Sequence, residues 1–357
     1  MNVRSLIHTA KHHWLTVAFI GGFVTDNILL NRIDSLIDQL TLLLYVVLGT
    51  TGLVLFYAGV AEKLPSVTAR FLQKYTPVVM QYAFGGLLSG MLIFYGRAGD
   101  WVASAPFLLL ILVVILGNEF IDKRSDRLVY NIALYFIGMF SYVVLVIPVI
   151  TGKMGDVVFF LSGVLALGIV TLVVQALFKI VPQFMMMNTR RLIFTLGIIY
   201  VTFNVLYLTN IIPPIPLSLT ELEVVQSVDR MQSGDYRVVY EDQPWYRSLP
   251  FMRTVIHPQR GEVACFARVY APTNLHTDIY HRWERKNADG QWEEYFTLNY
   301  PISGENKGGY RGYTRILNFQ SGEWRCSVET KRGQVLGRKT FMIDTAGAAR
   351  ELVTRIE

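Results

Sequence analysis

A few stretches of this sequence carry side chains whose types and spacing could do chemistry. Residues 308–314 set Tyr310, Arg311 and Tyr313 among three glycines. Glycine lets a backbone take positive φ or approach a partner closely. Tyrosine offers a flat face with a polar tip, and arginine a rigid fork of donors, which suits glycan, carboxylate or phosphate recognition. The structural alternative is a glycine bulge opening an edge strand, with the aromatics covering the end of a sheet. A second stretch is His281-Arg282-Trp283-Glu284. In a strand His281 shares the face of Trp283, while Arg282 and Glu284 face the other way, free to join a binding surface or to pair across strands. Cys265 and Cys326 form a third group.

Catalytic constellations are harder to find. No Gly-x-Ser-x-Gly, Ser-x-x-Lys or His-Glu-x-x-His occurs, so no catalytic residue is assigned. His257, His276 and His281 could collect zinc, but His276 and His281 are five apart and fall on opposite faces of one strand. No metal site and no cofactor is assigned. Glu119, Asp122 and Asp126 cluster near Lys123, in a pattern that fits a solvated helix end. Met185–Met187 offers soft sulfur ligands, yet three in a row without a spaced repeat fits an apolar interfacial turn.

The elements that must position these groups divide the chain in two. Of its 357 residues, 52% are hydrophobic and 17% charged, against about 25% charged in soluble domains. Residues 1–212 hold 14 Lys and Arg against 9 Asp and Glu, leaving 19 and 18 for the rest. Seven stretches approach the ~20 apolar residues of a transmembrane helix: 14–31, 39–59, 76–96, 101–118, 128–150, 156–178 and 192–212. No small-residue cleavage site follows the first, so it reads as retained. Eleven cations flank the spans on the N-terminal side of the membrane and three on the other. The positive-inside rule then makes the N-terminus cytoplasmic and everything after the seventh span periplasmic. The basic pI, ≈ 9.2, is thus a topology signal, and nothing supports nucleic acid as a partner.

Polar residues within spans are the default place to seek intramembrane function. Asp26, Asn27, Gln81, Asn131, Gln175 and Asn204 are the candidates. They could form an ion or proton path around Asp26. Alternatively Asp26 reaches interfacial water and the amides bond neighbouring helices.

Pro213-Pro214-Ile215-Pro216 ends the last helix, because each proline lacks an N–H and clashes with the preceding turn. Residues 213–221 form a junction. From 222 the apolar period is two, and turn signals separate short strands to 345, followed by a short helix or tail over 346–357. Many short strands and a Cys, Trp, Cys order across three of them predict an immunoglobulin-like sandwich. Alternation points both cysteines inward: Val263, Cys265, Ala267 and Val269 share one face, as do Trp324, Cys326 and Val328. They read as an inter-sheet disulfide or as two buried thiols. The expected fold class is membrane all-α, with seven transmembrane helices, plus a C-terminal all-β immunoglobulin-like sandwich.

Several runs together resemble one family: Val269-Tyr270-Ala271-Pro272-Thr273, His281-Arg282-Trp283-Glu284, Pro301-Ile302-Ser303-Gly304, Gly308-Gly309-Tyr310-Arg311-Gly312-Tyr313-Thr314, Gly322-Glu323-Trp324-Arg325 and Val328-Glu329-Thr330. They are similar to an uncharacterised family of proteobacterial inner-membrane proteins, with a multi-helix region (DUF5924 type) before a C-terminal domain of unknown function (DUF2914 type). The resemblance covers roughly 212–343 and, more loosely, the helices. It implies an inner-membrane location and no particular activity. One departure is Gly304-Glu305-Asn306, where the family pattern has Gly-Gly-Arg.

Three functions fit. The first is a membrane protein that displays a periplasmic domain binding an envelope component: glycan, lipid headgroup or protein. The second is a transporter or channel-like domain with a regulatory cap. The third is a membrane enzyme acting on lipid-linked sugars. Membrane lipid is an expected neighbour in all three.

Overall fold

The computed structural model describes residues 21, 24–30, 35–61, 65–117, 124–242, 254–304 and 308–357. The chain forms two compact units, Met1–Gly96 with Ser104–Ile212, and Arg97–Ala103 with Pro213–Glu357.

The first unit is helical. A short helical stretch at 24–29 precedes α1 (Leu36–Val60), α2 (Ser66–Ala98), α3 (Trp101–Gly117), α4 (Arg124–Thr151), α5 (Asp156–Ile180) and α6 (Pro182–Leu208). Five of these are long and apolar enough to cross a membrane, α4 from Leu128 onward. The exception, α3, has 17 residues, at the short end of the ~17–25 that a crossing takes. Of the other expected spans, 14–31 lies mostly outside the described residues, as do Glu119 and Asp122.

The loop expected at 179–191 shrinks to Val181. Helix α6 begins at Pro182, a position where the missing N–H leaves no hydrogen bond unmade. Met185–Met187, Arg190 and Arg191 are therefore helical, not an interfacial turn. Met185 is buried, while Met187, Ile193, Phe194, Leu161 and Leu172 point outward and are more than 60% exposed. Apolar surface this continuous marks a macromolecular or membrane contact. Inside, small residues let helices approach. A Cβ on Gly86 would run into the Tyr45 ring, and one on Gly163 into Phe140.

The second unit is built of strands: β1 (Ser218–Val225), β2 (Ser227–Arg230), β3 (Tyr236–Glu241), β4 (Thr254–Ile256), β5 (Val263–Tyr270), β6 (His276–Lys286), β7 (Trp292–Ser303), β8 (Tyr310–Ile316), β9 (Gly322–Thr330), β10 (Val335–Ile343) and β11 (Leu352–Ile356). They form three sheets, ordered β1-β5-β8, β4-β10-β9-β6-β7 and β11-β3-β2. Pairing is antiparallel except between β4 and β10. The β6–β7 turn closes through the bond from Gly290 N to Asn287 O, 3.0 Å, with Gly290 at φ 79°, a conformation glycine adopts without steric cost.

Three features depart from the sequence reading. The first strand starts at Ser218 instead of 222. The C-terminal stretch is a strand, not a helix or tail: Leu352–Ile356 pairs with Glu241–Arg237 of β3, because a sheet edge there accepts it. Finally, β5 is buried on both faces. Val263 and Cys265 join Trp283, Trp324, Cys326 and Phe341 in one core. Ala264 and Phe266 join Val225, Val228 and Val238 in another, against the β11-β3-β2 sheet. A near-continuous apolar strand is what two covered faces require.

Candidate ligand-binding cleft

Cys265 and Cys326 are bonded, 61 residues apart in sequence, and tie β5 to β9. Thr314 of β8 pairs with Cys265, and Trp283 of β6 pairs with Cys326. The Trp283 indole donates to Thr314 Oγ1 at 2.8 Å, which satisfies the one polar atom of a fully buried ring. His281 Nδ1 lies 3.0 Å from the same hydroxyl, and its Nε2 lies 2.9 Å from the hydroxyl of Tyr300. Burial pushes His281 down to about 3. The ring is thus neutral near pH 7, one nitrogen donating and the other accepting.

This buried relay holds Tyr300 against β8. A Cβ on Gly312 would run into the Tyr300 ring, so glycine is what allows that ring to lie there. Tyr310 stacks on Tyr300 with centroids 6.1 Å apart and planes 19° apart. On the other side of β8, Tyr236 meets Tyr313 edge to face at 6.0 Å, and its hydroxyl donates to Arg311 O at 3.3 Å. Burial, and then the neighbouring Tyr310, push the Tyr300 phenol above its ordinary value. Burial likewise raises Tyr236. Both phenols stay protonated and can donate.

Together these side chains line a cleft of about 460 Å³, completed by Arg230, Leu298, Arg311 and Arg315. Pockets of ~300–1,000 Å³ hold small-molecule ligands. The lining has no carboxylate. Arg315 is paired with Glu262 at 3.1 Å, whereas Arg311 Nε is buried without a hydrogen-bond partner.

The structure thus places Tyr310, Arg311 and Tyr313 on one cleft. It does not bring Arg282 and Glu284 there. Arg282 pairs with Glu329, and Arg325 donates to Glu284 from Nε and Nη2, both at 2.6 Å, while lying 4.4 Å over the Trp292 ring. Those pairs lie on the face of the five-stranded sheet opposite the Trp283 core, where Glu284 and Glu329 are buried. Arg230, Tyr236, Leu298, Tyr300 and Arg315 are the cleft residues that the sequence did not single out. All but Arg315 come from strands distant in the chain, and no local pattern marks them.

In the helical unit, Asp26 is fully buried and accepts from the Tyr45 hydroxyl at 2.5 Å. Packing of the described helices covers it. Asn27 is exposed. Gln81 and Asn131 are buried, and Asn204 donates to Tyr200 O at 2.7 Å. No hydrogen bond among the described residues joins Asp26 to Gln81, Asn131 or Asn204. Cys265, His281 and Cys326 place potential ligand atoms within 4.8 Å of one another, but the two sulfurs are bonded to each other and offer no thiolates.

These features describe a helical, membrane-compatible unit joined to a disulfide-bonded β unit with an aromatic cleft. Residues 276–343 match the family model described as "Protein of unknown function (DUF2914)", a stretch that includes the β8 wall of the cleft. No curated protein matches the chain. Among solved structures, it is similar to a Pseudomonas fluorescens alkylpurine DNA glycosylase AlkC bound to DNA containing an abasic site analog. That likeness spans 88% of this chain and 100% of the other, at 8% identity and a TM-score of 0.22, a level that carries no argument.

Proposed function

We propose that the protein is a bacterial inner-membrane protein that displays its β unit in the periplasm and binds an envelope component in the tyrosine-lined cleft. Seven spans place the N-terminus in the cytoplasm and the β unit outside, with α3 and the stretch around 14–31 completing the five long helices. The asymmetry of cations between the two ends of the expected spans supports that orientation, and the Cys265–Cys326 bond suits an oxidising compartment. The β unit acts as an immunoglobulin-like binding module, and its ligand is a glycan, a lipid headgroup or an envelope protein. The observation that carries this reading is the cleft itself, about 460 Å³ lined by four tyrosines and three arginines.

The test uses the full chain in its native membrane. Replacing Tyr310, Arg311 and Tyr313 together with alanine should abolish crosslinking of envelope material to a photoreactive group placed at Leu298, while the disulfide still forms. Unchanged crosslinking would remove the cleft as the site. A C-terminal green fluorescent fusion should stay dark, and strong fluorescence would place the β unit in the cytoplasm.

A further inference from the structure

We infer that the ligand of this cleft is an acidic sugar, with its ring on the tyrosine faces and its carboxylate or phosphate on the guanidinium of Arg311. The inference rests on reading the cleft as a binding site, and adds the ligand class. Its first support is charge. Three arginines line the cleft with no Asp or Glu among the lining residues. Arg315 is neutralised by Glu262, but neither Arg230 nor Arg311 has an ion pair among the described residues. Arg311 Nε has no hydrogen-bond partner, so the guanidinium is not committed to a carboxylate of the described residues. A planar guanidinium matches carboxylate and phosphate with two parallel bonds.

The second support is shape. Tyr300 and Tyr310 lie with ring planes 19° apart, and Tyr300 is pinned from behind by His281. A rigid aromatic face presents flat apolar area at low entropic cost, which suits the C–H face of a pyranose. The hydroxyls of Tyr310 and Tyr313, which also line the cleft, can bond sugar hydroxyls around that face.

A peptide added as a strand along β8 is the competing ligand, since β8 ends its sheet. However, the Tyr236 hydroxyl already occupies Arg311 O, and the Tyr300 ring packs on Gly312, so side chains cover the edge that such a strand would need. Polynucleotide stacking is disfavoured by the charge of residues 213–357, with 19 cations against 18 anions, too balanced to attract a polyphosphate backbone.

The experiment is saturation-transfer NMR and calorimetry on the full chain in nanodiscs of zwitterionic lipid. The probes are glucuronic acid, glucose 6-phosphate, glucose, glycerol 1-phosphate and a thymidine decanucleotide. Glucuronic acid, glucose 6-phosphate or both should bind, the preferred one identifying the anion, and glucose should bind at least about tenfold more weakly, the scale of one charge-assisted hydrogen bond. R311Q should lose that preference, and R311K, which keeps the charge without the fork, should fall between. Retention of the disulfide and of the unfolding midpoint certifies each variant. Equal binding of glucose and the two acids overturns the acidic class. Equal binding of glycerol 1-phosphate overturns the sugar, and tighter binding of the decanucleotide overturns both. Absence of binding by every probe also overturns the inference, and the crosslinking test above then shows whether the cleft reading survives. Acid binding that persists in the triple alanine variant places the site elsewhere and ends both.

Discussion

The hydroxyl of Tyr300 lies 2.9 Å from Nε2 of His281, and this contact anchors the aromatic face of the cleft to the disulfide-bearing core. His281 is fully buried and pushed from 6.5 to about 3. Below pH 6.5 the unfolded chain takes up a proton that the native ring refuses. Stability from the neutral ring is thus complete above pH 6.5 and is lost as the pH falls toward 3. At pH 5 the loss is about 2 kcal/mol from this group. Guanidinium unfolding of the full chain in detergent, followed by tryptophan fluorescence at pH 7 and pH 5, should show that difference. H281Q keeps a donor and an acceptor without titrating, so its pH dependence should be flatter by that amount. Parallel curves for the two proteins would contradict the relay.

Gly312 and Tyr300 should be energetically coupled. G312A forces the new methyl into the Tyr300 ring, and overpacking of this kind costs about 1–3 kcal/mol. In a Y300A background the methyl has room, so the same substitution should cost less than about 0.5 kcal/mol, as at an unconstrained site. A double-mutant cycle of unfolding free energies measures the difference.

The Cys265–Cys326 bond closes a loop of 61 residues. The native chain should weigh two hydrogens less than the reduced chain. Replacing both cysteines with alanine should lower stability by about 2–4 kcal/mol, read from the guanidinium midpoint of the β unit. Reductant should shift the parent protein but not the variant.

Glu241 is a buried acceptor for three donors. His257 N reaches it at 2.5 Å, Gln226 Nε2 at 2.7 Å, and His257 Nδ1 lies 3.1 Å from its other oxygen. E241L strands these groups and should cost about 2–4 kcal/mol. E241Q retains an acceptor and should cost less. Both values come from the same unfolding assay, and a cost for E241L within the surface range would refute the network.

Much of the β unit was legible locally. Alternation placed Cys265, Trp283, Trp324 and Cys326 inward, and all four are buried in one core. It also turned Arg282 and Glu284 to the opposite face, where they meet Glu329 and Arg325. The strand at 352–356 was not legible, because Leu-Val-Thr-Arg-Ile is short enough to suit a helix or a strand until β3 offers it an edge.

The sequence by itself determined that the N-terminal part is apolar helix, that Cys265, Trp283, Trp324 and Cys326 point into the core, and that Tyr310, Arg311 and Tyr313 cluster. These follow from periodicity and composition, which are properties of neighbours in the chain. Tertiary structure alone decided that the two cysteines lie opposite one another, that a third sheet covers the second face of β5, and that Asp26 is enclosed beside Tyr45. It also brought Tyr236, Tyr300 and Arg230 to the β8 cluster from other strands. Alternation fixes a residue's face but not the strand beside it. Sheet order and register come from contacts far apart in sequence, and a binding cleft is made of those contacts.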